Sequence, residues 1–569
     1  MRSTSVRGAK AVALVAAAAL ALVACGGDGG DGAAEGSDPS GEAEAPGGGD
    51  SDATFVFGAS TDPVIIDGAY VSDGESLRVV RSIFEGLVTT EEGGTEIVPA
   101  LAEEWTTSDD GLEWVFRLRE GVTFHDGEAF DAEAVCFNFD RWYNFSGIQQ
   151  SGNVSYYWST VMGGFAENES EDLTESLYAS CEATDEATAT ITLSRPSSTF
   201  LSALSLPAFS IGSPAALEEF GADEVTGSGE EPQFTGTYGT EHPTGTGPFR
   251  FVSWEPGNQL VLERNDDYWG DVAQIQNLVF VPIADGPARR QALEAGDIDG
   301  YDLVDPADVD ALDEAGFTIL RRPAFNVGYV GLNQSAPPLD NLQIRQAIAH
   351  AIDRENIIST NYPEGSTVAT QFMPEAVFGY TEDVTTYDYD PELARELIAE
   401  SGVTDLTLEF WYPTEVSRPY MPDPAANFQL MAADLEAVGF TVEPVGVPWN
   451  PDFLDAALSG GAPMYLLGWT GDFGDPDNFV GTFFQTPKPE WGFDNPELFA
   501  LLDEAEAETD VDARTALYEE ANRLIMDELP GLPYASTEPA LAFRPGVEGF
   551  EPSPVQNESF NLITVAAAE

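Results

Sequence analysis

Hydrophobic positions along this chain alternate between a spacing of two and a spacing of three to four, so strands and helices are interleaved from end to end. Ala53 to Ser60 alternates and predicts a first strand, and Ser76 to Val88 carries Leu77, Val80, Ile83, Phe84 and Leu87 at helical spacing. Leu112, Trp114, Phe116 and Leu118 alternate with Glu113, Val115, Arg117 and Arg119 after a Ser108-Asp109-Asp110-Gly111 turn, the pattern of a half-buried hairpin strand. Gly121 to Glu128 reads as another strand ending on an Asp-Gly turn. Ala132 to Trp142 has helical spacing, Cys181 to Leu193 alternates as one strand, and Gly221 to His242 reads as a surface excursion rich in Gly, Thr and Glu.

The second half repeats the theme. Arg289 to Ala295 and Leu342 to Ile352 predict helices, the latter with Ile344, Ile348 and Ile352 on one face. Leu406 to Tyr412 is an apolar strand. Asn427 to Val438 is a helix with Gly439 as its stop, and Thr441 to Val447 is a strand, together a β-α-β unit. Ala513 to Leu529 is the last long helix.

One stretch carries candidate chemistry. Tyr465-Leu466-Leu467 is an apolar run that ends in Gly468-Trp469, and the chain then turns through Thr470-Gly471-Asp472-Phe473-Gly474-Asp475-Pro476-Asp477-Asn478-Phe479. Open α/β sheets meet their ligands beyond the carboxyl ends of strands, which puts Asp472 in a binding position with Trp469 as a flat wall. Ser417-Arg418-Pro419-Tyr420 leaves the strand Leu406 to Tyr412 in the same way. An acid and a base at two strand ends suit the two ends of a zwitterion. Other readings of these residues stand beside this one. Arg418 could cap a loop or pair with a surface acid, Trp469 could be core, and Asp472, Asp475 and Asp477 could meet Ca²⁺, although the EF-hand glycine and terminal Glu are missing.

The leader changes the compartment. Arg2, Arg7 and Lys10 precede an apolar run of 13 residues, Ala11 to Val23, too short to span a bilayer and of signal-peptide form. Leu22-Val23-Ala24-Cys25 resembles a bacterial lipobox, which implies cleavage before Cys25 and lipidation of its thiol; a plain signal peptide followed by an incidental cysteine is the alternative. Residues 26–53 have the composition of a flexible acidic linker, so the mature protein is expected to be tethered to the outer face of the cell membrane.

About 515 residues remain, more than one core normally accommodates, so two lobes are expected. The formal charge of −76, from 99 acidic and 23 basic residues, argues against nucleic acid and anionic lipid as partners and suits a salty medium or a generally acidic proteome. Cys136 and Cys181 form an even pair in an exported chain, read as one disulfide or as two buried thiols.

Longer motifs carry a family resemblance. Pro99 to Trp105, Asp110 to Val115, Leu118 to Gly127, Ala129 to Phe139, Gly245 to Phe249, Leu262 to Gly270, Ala292 to Asp299 and Leu339 to Arg354 resemble the family 5 extracellular solute-binding proteins, the peptide-binding components of ABC importers. The resemblance implies an α/β fold of the two-lobed periplasmic-binding-protein type (type II, cluster C), with a hinge crossed twice. Pro282 and Thr537 are the expected crossings, giving lobe I as residues 54–282 and 537–569 and lobe II as 283–536. Dipeptide-binding members resemble this chain at both loops, which implies that Arg418 holds a ligand carboxylate and Asp472 a ligand ammonium, with Trp469, Gly468 and Tyr420 around them. It further implies a permease and ATPase as partners, and a monomer is expected. Metal-chelate (nickel-type) and oligosaccharide binding occur in the same family and are the alternatives.

Enzyme activity is not expected. His125-Asp126 lies at a turn without a Ser or Cys nucleophile motif, and Gly-x-Ser-x-Gly and His-Glu-x-x-His are absent. No catalytic residue, metal or cofactor is assigned.

Overall fold

Two main sheets, one in each lobe, divide the molecule. The computed structural model describes residues 52–566, except residues 172 and 230 and the side chains of residues 450 and 451. The expected leader with Cys25 and nearly all of the linker lie outside the described residues. Among the described residues no helix is long and apolar enough to cross a membrane.

The first sheet has seven strands in the order Phe249–Glu255, Gln259–Arg264, Asn277–Pro282, Thr54–Ala59, Gly300–Tyr301, Ala540–Phe543 and Thr318–Arg321. Thr54–Ala59 runs parallel to both of its neighbours, with Phe55 and Phe57 fully buried. A four-stranded antiparallel sheet stands beside it, ordered Ala102–Thr107, Glu113–Leu118, Thr188–Leu193 and Tyr178–Asp185. The second main sheet has five strands, Thr441–Pro448, Thr407–Thr414, Met464–Thr470, Asn326–Leu332 and Gly531–Ala535. Each main sheet has its own principal apolar core.

Several local expectations shift. The first helix is Gly74–Ile83 rather than Ser76 to Val88, because Phe84 turns to an extended backbone and Val88 begins a short strand. Cys181 to Leu193 is two strands, not one, turned where the Asp185 carboxylate accepts the Ala187 N–H at 3.0 Å. Gly121 to Glu128 forms no strand and contributes only a bridge between Thr123 and Ala129. Helix Pro424–Val438 does end at Gly439, whose φ of 116° favours glycine. It joins two parallel strands, Thr407–Thr414 and Thr441–Pro448, in the β-α-β unit. Cys136, on helix Ala132–Tyr143, is bonded to Cys181 on the adjoining strand.

The passage between lobes also differs from the expectation. Residues 283–321 belong with the first sheet, since Gly300–Tyr301 and Thr318–Arg321 are two of its strands. Pro282 ends a strand, but the chain returns through helix Gly286–Ala295 to pair Gly300 with Phe57 in parallel, a crossover within one sheet. The chain leaves between Arg321 and Asn326 and comes back between Ala535 and Ala540, an interval that includes Thr537. The Asn326 amide ties the two passages together. Its Nδ2 donates to the Thr537 carbonyl at 3.0 Å, and its Oδ1 accepts from the Thr537 N–H and hydroxyl, each at 3.1 Å.

Candidate functional site: the junction of the two lobes

Strands Thr407–Thr414 and Met464–Thr470 are parallel neighbours, with Phe410 beside Met464 and Trp411 beside Tyr465. Their carboxyl ends therefore leave the same edge of the second sheet, which places the Arg418 and Asp472 loops side by side. Gly468 is required at that edge: a Cβ there would stand 2.3 Å from Tyr420 Cδ2 and 2.5 Å from the Val327 carbonyl oxygen. The Tyr420 ring lies against the bare glycine, and burial raises its phenol to about 12.

The Asp472 loop is fixed at several points. Phe473 inserts into the core of the first lobe. The buried Asp475 carboxylate accepts the Asp477 N–H at 2.9 Å and is gripped by Arg514, with Arg514 Nη2 2.8 Å from Asp475 Oδ1. Asn478 binds Asp472 reciprocally: its Oδ1 accepts the Asp472 N–H at 2.7 Å, and its Nδ2 donates to Asp472 Oδ2 at 3.3 Å. The same Oδ1 accepts from Trp469 Nε1 at 3.3 Å. The other Asp472 oxygen accepts from the Tyr157 hydroxyl at 2.8 Å, and Tyr157 belongs to helix Tyr156–Met162 of the first lobe. Burial raises the Asp472 carboxyl above the ordinary carboxylate range, while the bonds from Tyr157 and Asn478 and the charge of Arg81 act against the rise. With Asp475 committed to Arg514, the three acids of this loop do not form a metal cage, and no metal-binding cluster occurs among the described residues.

Asp472, Trp469, Asn478, Tyr156 and Tyr157 line a cavity of about 620 Å³ between the lobes. Arg418 does not share it. It lines a second interlobe cavity of about 480 Å³, together with Arg289, Asp285, Asp305 and Asp423. A tight turn presents Arg418: its N–H donates to the Met421 carbonyl at 3.1 Å and its carbonyl accepts the Met421 N–H at 2.9 Å. The guanidinium lies 4.4 Å from the centre of the Trp449 ring. Among the described residues, Arg418 is the one arginine whose guanidinium makes neither a hydrogen bond nor an ion pair, and its Nε is shut off from solvent without an acceptor. In so acidic a chain that is an unusual way to leave a cation.

The structure thus brings Asp472, Trp469, Gly468 and Tyr420 together and sets Arg418 in the neighbouring cavity. Sequence reasoning missed Tyr157, which lies 315 residues from Asp472. It also missed Trp449 and Arg289. Asn478 lay inside the loop pattern, and its position six residues after Asp472 is the signal that could have found it.

The model of the bacterial extracellular solute-binding proteins, family 5 Middle, matches residues 96–490. The chain belongs to this family. Among relatives of this solute-binding protein, the heme-binding protein A of Haemophilus influenzae is 30% identical, covering 90% of this chain and 93% of its own. The dipeptide-binding protein of Escherichia coli is also 30% identical, covering 85% of this chain and 89% of its own. The crystal structure of a dipeptide-binding protein from Pseudoalteromonas in complex with Met-Leu superposes with a TM-score of 0.77 at 25% identity, over 90% of this chain and all of that one. The solute-binding family and these relatives are binding proteins, not enzymes, and their two-lobed α/β fold is the fold described above.

Proposed function

We propose that this solute-binding protein is a lipid-anchored receptor on the outer face of the bacterial cell membrane. It takes short peptides, foremost dipeptides, between its lobes and delivers them to an ABC permease and its ATPase. The observation that carries the peptide reading is the pair of opposite charges, Asp472 and Arg418, on loops leaving one sheet edge at neighbouring parallel strands. Asp472 accepts from the ligand ammonium beside Tyr157 and Asn478. Arg418, which pairs with no carboxylate among the described residues, donates both arms of its fork to the ligand carboxylate. A peptide joining them lies along the edge over Gly468 and Tyr420. The dipeptide-binding relatives support the same ligand class.

Calorimetric titration with a free dipeptide, its N-acetylated form and a pentapeptide tests this reading at several salt concentrations. Binding of the free dipeptide alone, lost in Asp472→Asn and Arg418→Gln, is expected. Equal binding of the pentapeptide shows that Asp472 and Arg418 do not hold the two termini of one dipeptide, and no peptide binding in any salt redirects the assignment to metal chelates or sugars. A second reading rests on the heme-binding relative and on the aromatic wall of Tyr156, Tyr157 and Trp469 in the larger cavity. Hemin is therefore the competitor to include.

A further inference from the structure

The smaller interlobe cavity contains a second arginine that the peptide reading leaves unused. Arg289 is only 4% exposed, on helix Gly286–Ala295 of the first lobe. Its Nη1 donates to the carbonyls of Ile283 at 2.7 Å and Ala284 at 3.1 Å, and its Nε, shielded from solvent, has no acceptor. It makes no ion pair among the described residues. Burial lowers its pKa below the ordinary arginine value, outweighing the nearby charges of Glu75, Asp302 and Asp285, none of which it touches as an ion pair. Arg289 and Arg418 line the same cavity from opposite lobes, and both have a buried Nε–H with nothing to accept it.

Three of the acids around them are already engaged. The carboxylates of Asp285, Asp305 and Asp423 accept from Ala288 N at 2.8 Å, Ala307 N at 2.9 Å and Ala426 N at 2.9 Å, each capping a helix start. These aspartates cap helix N-termini and ion-pair with neither guanidinium, although the charge of Asp285 does act on Arg289; Glu415 is the fourth acid of the lining.

We infer that Arg289 is a second carboxylate-binding residue, so that the ligand's carboxylate is gripped by one guanidinium from each lobe. The inference rests on the peptide reading for Arg418 and adds the residue on the opposite wall. A carboxylate has two oxygens and several acceptor sites, enough for both arginines. Held this way it joins the lobes at its own end, as Asp472 does at the ammonium end. Selectivity follows: a free C-terminus is demanded, and an amidated peptide leaves both cations without a partner.

The test compares Met-Leu with Met-Leu amide by calorimetry on the full folded chain, in wild type, Arg289→Gln and Arg289→Lys. Arg289→Gln is expected to weaken the free acid about tenfold or more and to leave the amide unchanged, because a lost charge-assisted bond has that scale. Arg289→Lys, which keeps the charge without the fork, is expected to fall between. An unchanged ratio of acid to amide in a folded Arg289 variant overturns the inference. If Arg289→Gln does not fold, Arg289→Lys is the variant read, and an unchanged ratio in it is equally decisive. Should Met-Leu fail to bind wild type, the peptide reading falls, and malonate becomes the probe. A rise in Tm with malonate over matched chloride, present in wild type and absent in the Arg289 variants, supports the two-arginine site. No rise in wild type, or an equal rise in all, overturns it.

Discussion

The Tyr157 hydroxyl donates to Asp472 Oδ1 at 2.8 Å, joining a helix of the first lobe to the end of a strand in the second. The bond holds the carboxylate that the proposed ligand ammonium approaches, and burial pushes the tyrosine's own pKa well above its ordinary value. Tyr157 therefore stays a donor across the working pH range. Tyr157→Phe is expected to weaken dipeptide binding by about 10- to 100-fold, the scale of one hydrogen bond to a charged group, without unfolding the protein. Calorimetry alongside a thermal melt reads both effects.

Because Asp472 must be ionised to take an ammonium, its raised pKa gives binding an acid limb above the range of an ordinary carboxylate. Affinity is expected to fall as pH drops through that raised pKa. In Asp472→Asn the affinity is low at every pH and this limb is gone. A titration series between pH 4 and 8 checks both features, about the window where such groups titrate.

Asp477 is displaced further, to about 8, by burial and by the neighbouring charges of Glu506 and Asp475. The sign follows from proton counting: between the ordinary aspartate pKa and this one, the folded state holds a proton that the unfolded state has lost. Stability therefore falls as pH rises through that window. Asp477→Asn is expected to stabilise the protein at pH 9 by about 1–3 kcal/mol, less than the full shift because the side chain borders a water-accessible cavity, and to do little at pH 4. Denaturant unfolding at the two pH values decides it.

Gly468→Ala puts a methyl group into the Tyr420 ring and against the Val327 carbonyl. Displacing the ring or the strand is expected to cost about 1–3 kcal/mol and to disturb both ligand loops at once. A mutant that melts and binds like wild type would show that this edge has slack.

The Cys136–Cys181 bond links positions 45 residues apart. Replacing both cysteines with serine is expected to lower stability by about 2–4 kcal/mol and to leave ligand affinity nearly unchanged, since neither residue lines either of the two interlobe cavities. Denaturant midpoints with and without reductant measure the first effect.

What was legible in the sequence was local. The loop after Tyr465-Leu466-Leu467 announced itself because an apolar strand gave way to Gly, Asp and Pro within a few residues. Helix Pro424–Val438 announced itself through its stripe and its terminal glycine. The first lobe crossing was misplaced because Pro282 signals the end of a strand and says nothing about which strand comes next. Strand order is decided by pairings such as Phe57 with Gly300, far apart in the chain. Tyr157 was invisible for the same reason, since its role exists only once two lobes meet. Arg418 was legible as a charge at a strand end, but its separation from Asp472 into another cavity was not.

The Asn326–Thr537 junction constrains how the molecule can respond to a ligand. Two chain segments passing between lobes and stapled by one amide resist sliding, because translation of one past the other breaks three hydrogen bonds together. Twisting and bending about the staple leave those bonds intact. A ligand held between the lobes is therefore expected to draw them together by rotation about this junction rather than by slippage.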